Sequence, residues 1–222
     1  MSLHSGYKGP GDCPAIIPVF PLPGALLLPR GQMPLNIFEP RYLAMVDDAL
    51  RSERIIGMIQ PDAEGGGPPM APRLYKVGCA GRITQYAETG DGRLLISLTG
   101  VARFRVESEL AAATSYRRCQ VSYDGFSSDF EPRAGEDAVD REGVLKALRD
   151  FVEVNDLKVD WGGIEEAPNE ALVNALCMMS PFGVREKQAM LEAVDLKTRA
   201  EVLIAVTEME LVRGDGSEPT LQ

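Results

Sequence analysis

The spacing of apolar residues changes once along the chain, and that change constrains the fold more than any other feature. Before position 127 apolar residues alternate. Leu94, Ile96 and Leu98 share one strand face, Phe104 and Val106 another, and Cys119, Val121 and Tyr123 a third. Successive side chains of a strand point to opposite faces, so a period of two marks half-buried strands. After position 135 the period becomes helical. Val144, Leu145, Leu148, Phe151 and Val152 form one stripe, Leu172, Leu176 and Met179 a second, and Val202, Val206 and Met209 a third, with Asp195 placed as an N-cap. Residues 127–135 are polar and read as a linker. The pattern predicts an α+β fold. Residues 14–125 form a mostly antiparallel sheet, closed or nearly closed, and residues 136–212 form helices. Residues 1–13 and 213–222 read as flexible termini.

Local signals place the remaining elements. Residues 15–20, 34–38 and 55–59 read as strands, and residues 40–51 carry Leu43, Val46 and Leu50 at helical spacing. Pro40 suits the first helical turn, where its missing N–H costs nothing. Gly90-Asp91-Gly92 marks a hairpin turn. Residues 61–72 hold three glycines and four prolines around Met70, which predicts an exposed, mobile loop offering Met70 as an apolar contact.

Charge and residue counts exclude several function classes. The net charge of −10 disfavours attraction of the whole molecule to nucleic acid phosphates or anionic lipid. The one histidine, His4, lies in a Gly- and Lys-bearing N-terminal stretch, which argues against histidine-based nucleophilic catalysis and zinc sites. Neither a Walker A string nor G-x-G-x-x-G occurs, so no nucleotide cofactor is expected. Asp47/Asp48 and Glu165/Glu166 are adjacent pairs and do not face one another across a cleft. Ser180 and Lys187 are separated by a helix stop at Pro181, which argues against a Ser-Lys dyad. Cys119 alternates with Val121 and reads as core. The four cysteines are spread along the chain. Two disulfides are conceivable, and buried thiols in a reducing cytoplasm are the favoured reading. Residues 1–11 are polar with no apolar core of a signal peptide, and no apolar run approaches the ~18 residues of a membrane span. A cytoplasmic protein with no metal or cofactor is the expectation.

The charge is unevenly distributed. Residues 73–123 carry 8 Lys/Arg against 4 Asp/Glu, and residues 124–222 carry 10 against 22. By alternation Arg82 and Tyr86 point opposite Ile83, and Arg103 and Arg105 opposite Phe104. This face could be solvated, could dock the acidic helical half, or could bind polypeptide. An RNA surface is less suited, because stacking aromatics are scarce.

The string Ile17-Pro18-Val19-Phe20-Pro21-Leu22-Pro23-Gly24, then Leu28-Pro29, then Pro34-Leu35-Asn36-Ile37-Phe38-Glu39-Pro40-Arg41-Tyr42, resembles the opening of the Lon protease N-terminal domain. Val77-Gly78-Cys79-Ala80-Gly81-Arg82-Ile83, the stretch through Gly100 and Arg103-Phe104-Arg105, and Glu186-Lys187-Gln188-Ala189-Met190-Leu191-Glu192 resemble its later segments. The resemblance spans about residues 14–212. It implies a PUA-like β-barrel followed by a helical bundle, without the ATPase and protease parts. The function it implies is non-catalytic recognition of unfolded or partly folded polypeptides, as an adaptor or holdase-like protein acting with Lon or another chaperone or protease. The alternative is a PUA-like binder of a small molecule or RNA. Arg82, Tyr86, Arg103, Arg105 and Met70 are the candidate polypeptide contacts. Pro21, Pro23, Pro29, Pro34 and Pro40, with the corner Glu39, Arg41 and Tyr42, read as structural.

Overall fold

A computed structural model describes residues 6–215 except positions 63, 67, 69, 70 and 112. Six strands form one sheet: β1 (Ile16–Pro21), β2 (Gln32–Ile37), β3 (Ile55–Ile59), β4 (Val77–Glu88), β5 (Leu94–Glu109) and β6 (Arg118–Ser122). Their order is β2-β5-β4-β3-β1-β6, and β6 pairs back onto β5. Hydrogen bonding therefore closes a ring through β5, β4, β3, β1 and β6, with β2 as an outside strand on β5. Every pairing is antiparallel except β1 with β3. Parallel neighbours need a crossover, and here β2 and helix α1 (Pro40–Leu50) supply it. The length of β5 allows its double use. Leu94 to Thr99 pair with β2, and Arg105 to Glu109 pair with β6.

The strands sort their apolar residues into two layers. Ile17, Val19, Ala102, Phe104, Cys119 and Val121 fill the ring. Leu27, Ile83, Leu98, Val173, Met190 and Leu203 form a larger layer between the ring and the helices. The helices are α2 (Arg141–Val154), α3 (Trp161–Glu166), α4 (Asn169–Met179), α5 (Val184–Glu192) and α6 (Leu196–Asp215). Side-chain caps start three of them. Asp140 accepts from the Gly143 N–H at 3.0 Å, Asp160 from Gly163 at 3.3 Å and Asp195 from Thr198 at 2.7 Å. Each satisfies a backbone donor that has no intrahelical partner. The corner before α1 is locked as its residues suggest. Arg41 Nε donates to Glu39 at 2.9 Å, its guanidinium lies 4.6 Å from the Tyr42 ring centroid, and Tyr42 packs against Phe20.

Two expectations need correction, one over residues 127–135 and one at Met179 and Met209. Residues 127–135 are not a free linker. They include part of a 3₁₀ helix, Asp124–Phe130, and lead into a second, Glu136–Ala138, and both Asp129 and Glu136 are buried. The 61–72 stretch is tied at its base, because Pro61 bridges Leu74 and the Asp62 N–H donates to the Arg73 carbonyl at 2.8 Å. Met70 lies outside the described residues. Met179 and Met209 share a helical stripe with core residues yet are exposed, Met179 as the last residue of α4. The four cysteines are unpaired, and three of them are buried. Among the described residues no helix is long and apolar enough to cross a membrane.

Candidate functional site

The predicted arginine face does not exist as one surface. Arg103 is 1% exposed. Its Nε and Nη2 donate to Asp129 at 2.9 and 2.8 Å, and its backbone N–H reaches the same carboxylate at 2.8 Å. Nη1 donates to the carbonyls of Leu191, at 3.1 Å, and Ala193, while the guanidinium stacks 4.7 Å from the Phe126 ring. Four of the five guanidinium N–H groups of Arg103 are thus used inside the protein, and it clamps β5 to the 3₁₀ segment and to the end of α5. Of the accounts open for this face, docking by the helical half is the one Arg103 obeys.

The other candidates are dispersed. Register partners in a sheet share a face. Arg82 lies opposite Ile55, a residue of the ring interior, and donates to the Tyr7 hydroxyl at 2.8 Å. Arg105 lies opposite Val77, on the helix side, and is exposed. Tyr86 is opposite Ile96 near the hairpin end and is 58% exposed. At ~3.3 Å per residue, Ile96 and Arg105 are roughly 30 Å apart along β5. Simple alternation failed here because the β4–β5 ladder shifts register between Ala80 and Gly81 and between Ile83 and Gln85. Each bulge reverses which residues face the ring.

One feature that can hold a ligand is a groove at the seam between ring and helices. Its volume is about 370 Å³, and Pro29, Gln32, Pro132, Pro168, Met178 and Met179 line it. One wall is the loop from β1 to β2, and the other is α4. The loop crosses β5 so closely that a Cβ on Gly100 would collide with the Leu28 carbonyl. This explains a glycine there without any turn. Arg30, in the same loop, has a left-handed backbone (φ 64°). Non-glycine residues rarely adopt it unless surrounding contacts hold them. Here Arg30 Nε donates to Glu170 of α4 at 3.0 Å, Nη2 pairs with the same carboxylate, and Nη1 donates to the Asp129 carbonyl at 2.6 Å.

The Glu170 and Asn174 side chains on the floor of the groove are bonded within the protein, while Nη2 of Arg199 behind them is buried without a hydrogen-bond partner. Glu170 also accepts from the Arg133 N–H at 2.9 Å, and the Glu170 N–H donates to Glu136 at 2.9 Å. That backbone donor, followed by the pairing with Arg133, holds the Glu136 carboxyl below its usual range. Asn174 donates to the Pro29 carbonyl at 3.2 Å and accepts from Arg199 at 2.9 Å. Burial, with Arg103 nearby, lowers the pKa of Arg199. What remains for a ligand is mostly apolar and deformable. Met179 is 82% exposed at the groove rim. Thioether side chains adapt to varied partners, which suits loose rather than exact recognition.

Lys187 and Cys119, weighed from sequence as reactive groups, sit in structural surroundings, as does Cys177. Lys187 Nζ donates to the Met178 carbonyl at 3.2 Å and so closes the end of α4. Burial lowers the Lys187 pKa. Burial pushes the Cys119 thiol up to about 11 and Cys177 up to about 12, against the thiolate a nucleophile needs. Among the described residues no group of three metal-ligating side chains comes together. The sequence reading missed Met178, Met179 and Gln32. The usable signal was two methionines directly before Ser180-Pro181, where a helix must stop.

The model of the ATP-dependent protease La (LON) substrate-binding domain matches residues 16–207. The chain belongs to the Lon substrate-binding domain family. Curated relatives include Lon protease of Anaeromyxobacter dehalogenans, 26% identical over 200 residues, and Lon protease 2 of Myxococcus xanthus, 28% identical over 200 residues. In both cases 87% of this chain aligns with 23% of the relative, so the chain spans about a quarter of their length. Two solved structures share the fold. A Lon N-terminal domain protein from Xanthomonas campestris aligns with TM-score 0.59 at 24% identity, covering 86% of this chain and 97% of that one. The N-terminal domain of Mycobacterium avium complex Lon protease aligns with TM-score 0.62 at 18% identity, covering 87% and 98%.

Proposed function

We propose that this chain is a non-catalytic module that recognises unfolded or partly folded polypeptides, with the seam groove as its contact site. The observation that carries the reading is an apolar, methionine-rimmed groove in a member of a substrate-binding family, with Glu170 and Asn174 of its floor already bonded within the protein. Such a groove favours apolar side chains without reading a particular sequence. The module would act as an adaptor or holdase-like partner of Lon or of another chaperone or protease, in the cytoplasm. The small-molecule or RNA reading has lost its basic face, since Arg82 and Arg105 are on different faces and Arg103 is buried.

The test is fluorescence anisotropy with a labelled, permanently unfolded protein such as reduced, carboxymethylated α-lactalbumin. Binding in the micromolar range is expected, and Met179→Asp should weaken it severalfold while circular dichroism stays unchanged. Unaltered affinity of that variant would remove the groove from the reading.

A further inference from the structure

We infer that the free edge of β2 is a strand-addition site for an extended, apolar, neutral-to-basic polypeptide segment, which continues from the seam groove. The inference rests on the polypeptide-binding reading and says how the backbone of the bound chain is held. β2 is the outermost strand of the sheet, paired on one side with β5. The Gly100 N–H donates to the Gly31 carbonyl, which fixes Gly31 as facing β5. Since backbone groups alternate in direction, those of Met33, Leu35 and Ile37 face β5, and those of Gln32, Pro34 and Asn36 face outward. Pro34 fits this phase, because its missing N–H would otherwise break the ladder. Among the described residues, no hydrogen bond reaches the outward N–H groups of Gln32 and Asn36 or the outward carbonyls of Gln32, Pro34 and Asn36.

Such an edge is a template for another strand. Main-chain pairing is indifferent to side-chain sequence, which is what recognition of unfolded chains requires. Gln32 also lines the groove, so a chain paired along β2 runs directly onto Met178 and Met179. At the far end, Leu95 is 48% exposed and Phe38 is 60% exposed beneath the Arg93 guanidinium. The other conceivable occupant is a second copy of the chain. The two-fold antiparallel pairing that overlaps all of residues 32–36 sets Pro34 against Pro34, where neither residue has an N–H to give. Two molecules of net charge −10 also repel one another. A neutral or basic foreign segment meets neither obstacle.

The probe is a short fluorescein-labelled peptide of alternating valine and lysine, added to the full chain. Amide hydrogen exchange by NMR is then read at Gln32 and Asn36, with anisotropy reporting binding in parallel. The expected result is fast exchange at both amides in the free protein and slowing of at least about tenfold in the complex, with Leu35 already slow in both. Asn36→Pro removes one outward donor without touching the β5 ladder and should weaken binding about fivefold, the worth of one net hydrogen bond. Asn36→Ala keeps that donor and should change affinity less than about twofold. Binding with Gln32 and Asn36 still exchanging freely would overturn the strand-addition site and leave polypeptide recognition standing. If neither this peptide nor unfolded α-lactalbumin binds, the broader reading fails and this one with it. Protection that grows with protein concentration alone would assign the edge to a second copy and overturn the foreign segment.

Discussion

The ring interior and the seam between ring and helices are both buried, yet they are held by different physics. Inside the ring, Phe104, Ile17, Val19 and their neighbours pack with almost no exposure, and cohesion comes from removing apolar surface from water. The seam carries an apolar layer too, but threaded through it are Arg103 with Asp129, Arg30 with Glu170, and the Glu136 carboxylate with the Glu170 N–H. Apolar packing does not specify a unique docking angle, whereas directional charge pairs do so at a desolvation cost. The difference teaches that the helices are placed on the ring by a few polar contacts. The groove is the gap those contacts leave.

Breaking the seam at Arg103 and opening a cavity in the ring at Phe104 should have the largest effects. Arg103→Ala leaves Asp129 buried without its partner, and about 3–5 kcal/mol of stability should be lost, seen as a large fall in melting temperature. Phe104→Ala should cost a similar ~3–5 kcal/mol through a cavity in the ring. The two variants should differ in kind. Arg103→Ala should loosen helix protection in hydrogen exchange before the strands, and Phe104→Ala should loosen both together. Equal loosening in the two would erase the distinction between the regions.

A smaller effect should follow from Glu170→Gln. It weakens the hold on the strained Arg30 loop and should cost about 1–3 kcal/mol, measured by urea unfolding. It should also disturb the groove wall and lower polypeptide affinity. Acid probes the same seam. The folded-state pKa of Glu136 lies below its ordinary value of 4.5. Its stabilising contribution is therefore fully present above that value and is lost as pH falls through the lower, folded value. Stability against pH should decline below about 4.5, and Glu136→Gln should flatten that decline. The smallest effect belongs to Tyr86→Ser at the hairpin end, which should stay within about 0.5 kcal/mol of the parent.

Much of the ring was legible in the amino-acid sequence. Residues 55–59, the Gly90-Asp91-Gly92 hairpin and helix α1 appear where apolar spacing and turn residues place them, because each depends on neighbours close in the chain. The candidate site was not legible, for two physical reasons. Alternation shows which residues share a face, not whether another layer covers it, so Arg103 read as a surface residue. The partner that buries it, Asp129, sits between Ser128 and Phe130 in a stretch whose polarity mimics a linker. Met179 failed in the opposite sense, since helical spacing assigned it to a core that ends a residue or two earlier.

The account stands most directly on where an unfolded polypeptide touches this molecule. Methyl NMR on protein labelled at its methionines, titrated with reduced, carboxymethylated α-lactalbumin, reads that contact without any mutation. The account predicts progressive shifts of the Met178 and Met179 methyl signals, with buried Met45 and Met190 unmoved. Saturable binding that leaves Met178 and Met179 unchanged, while amide signals of Arg82, Tyr86 or Arg105 move, would contradict it and return the site to the strands.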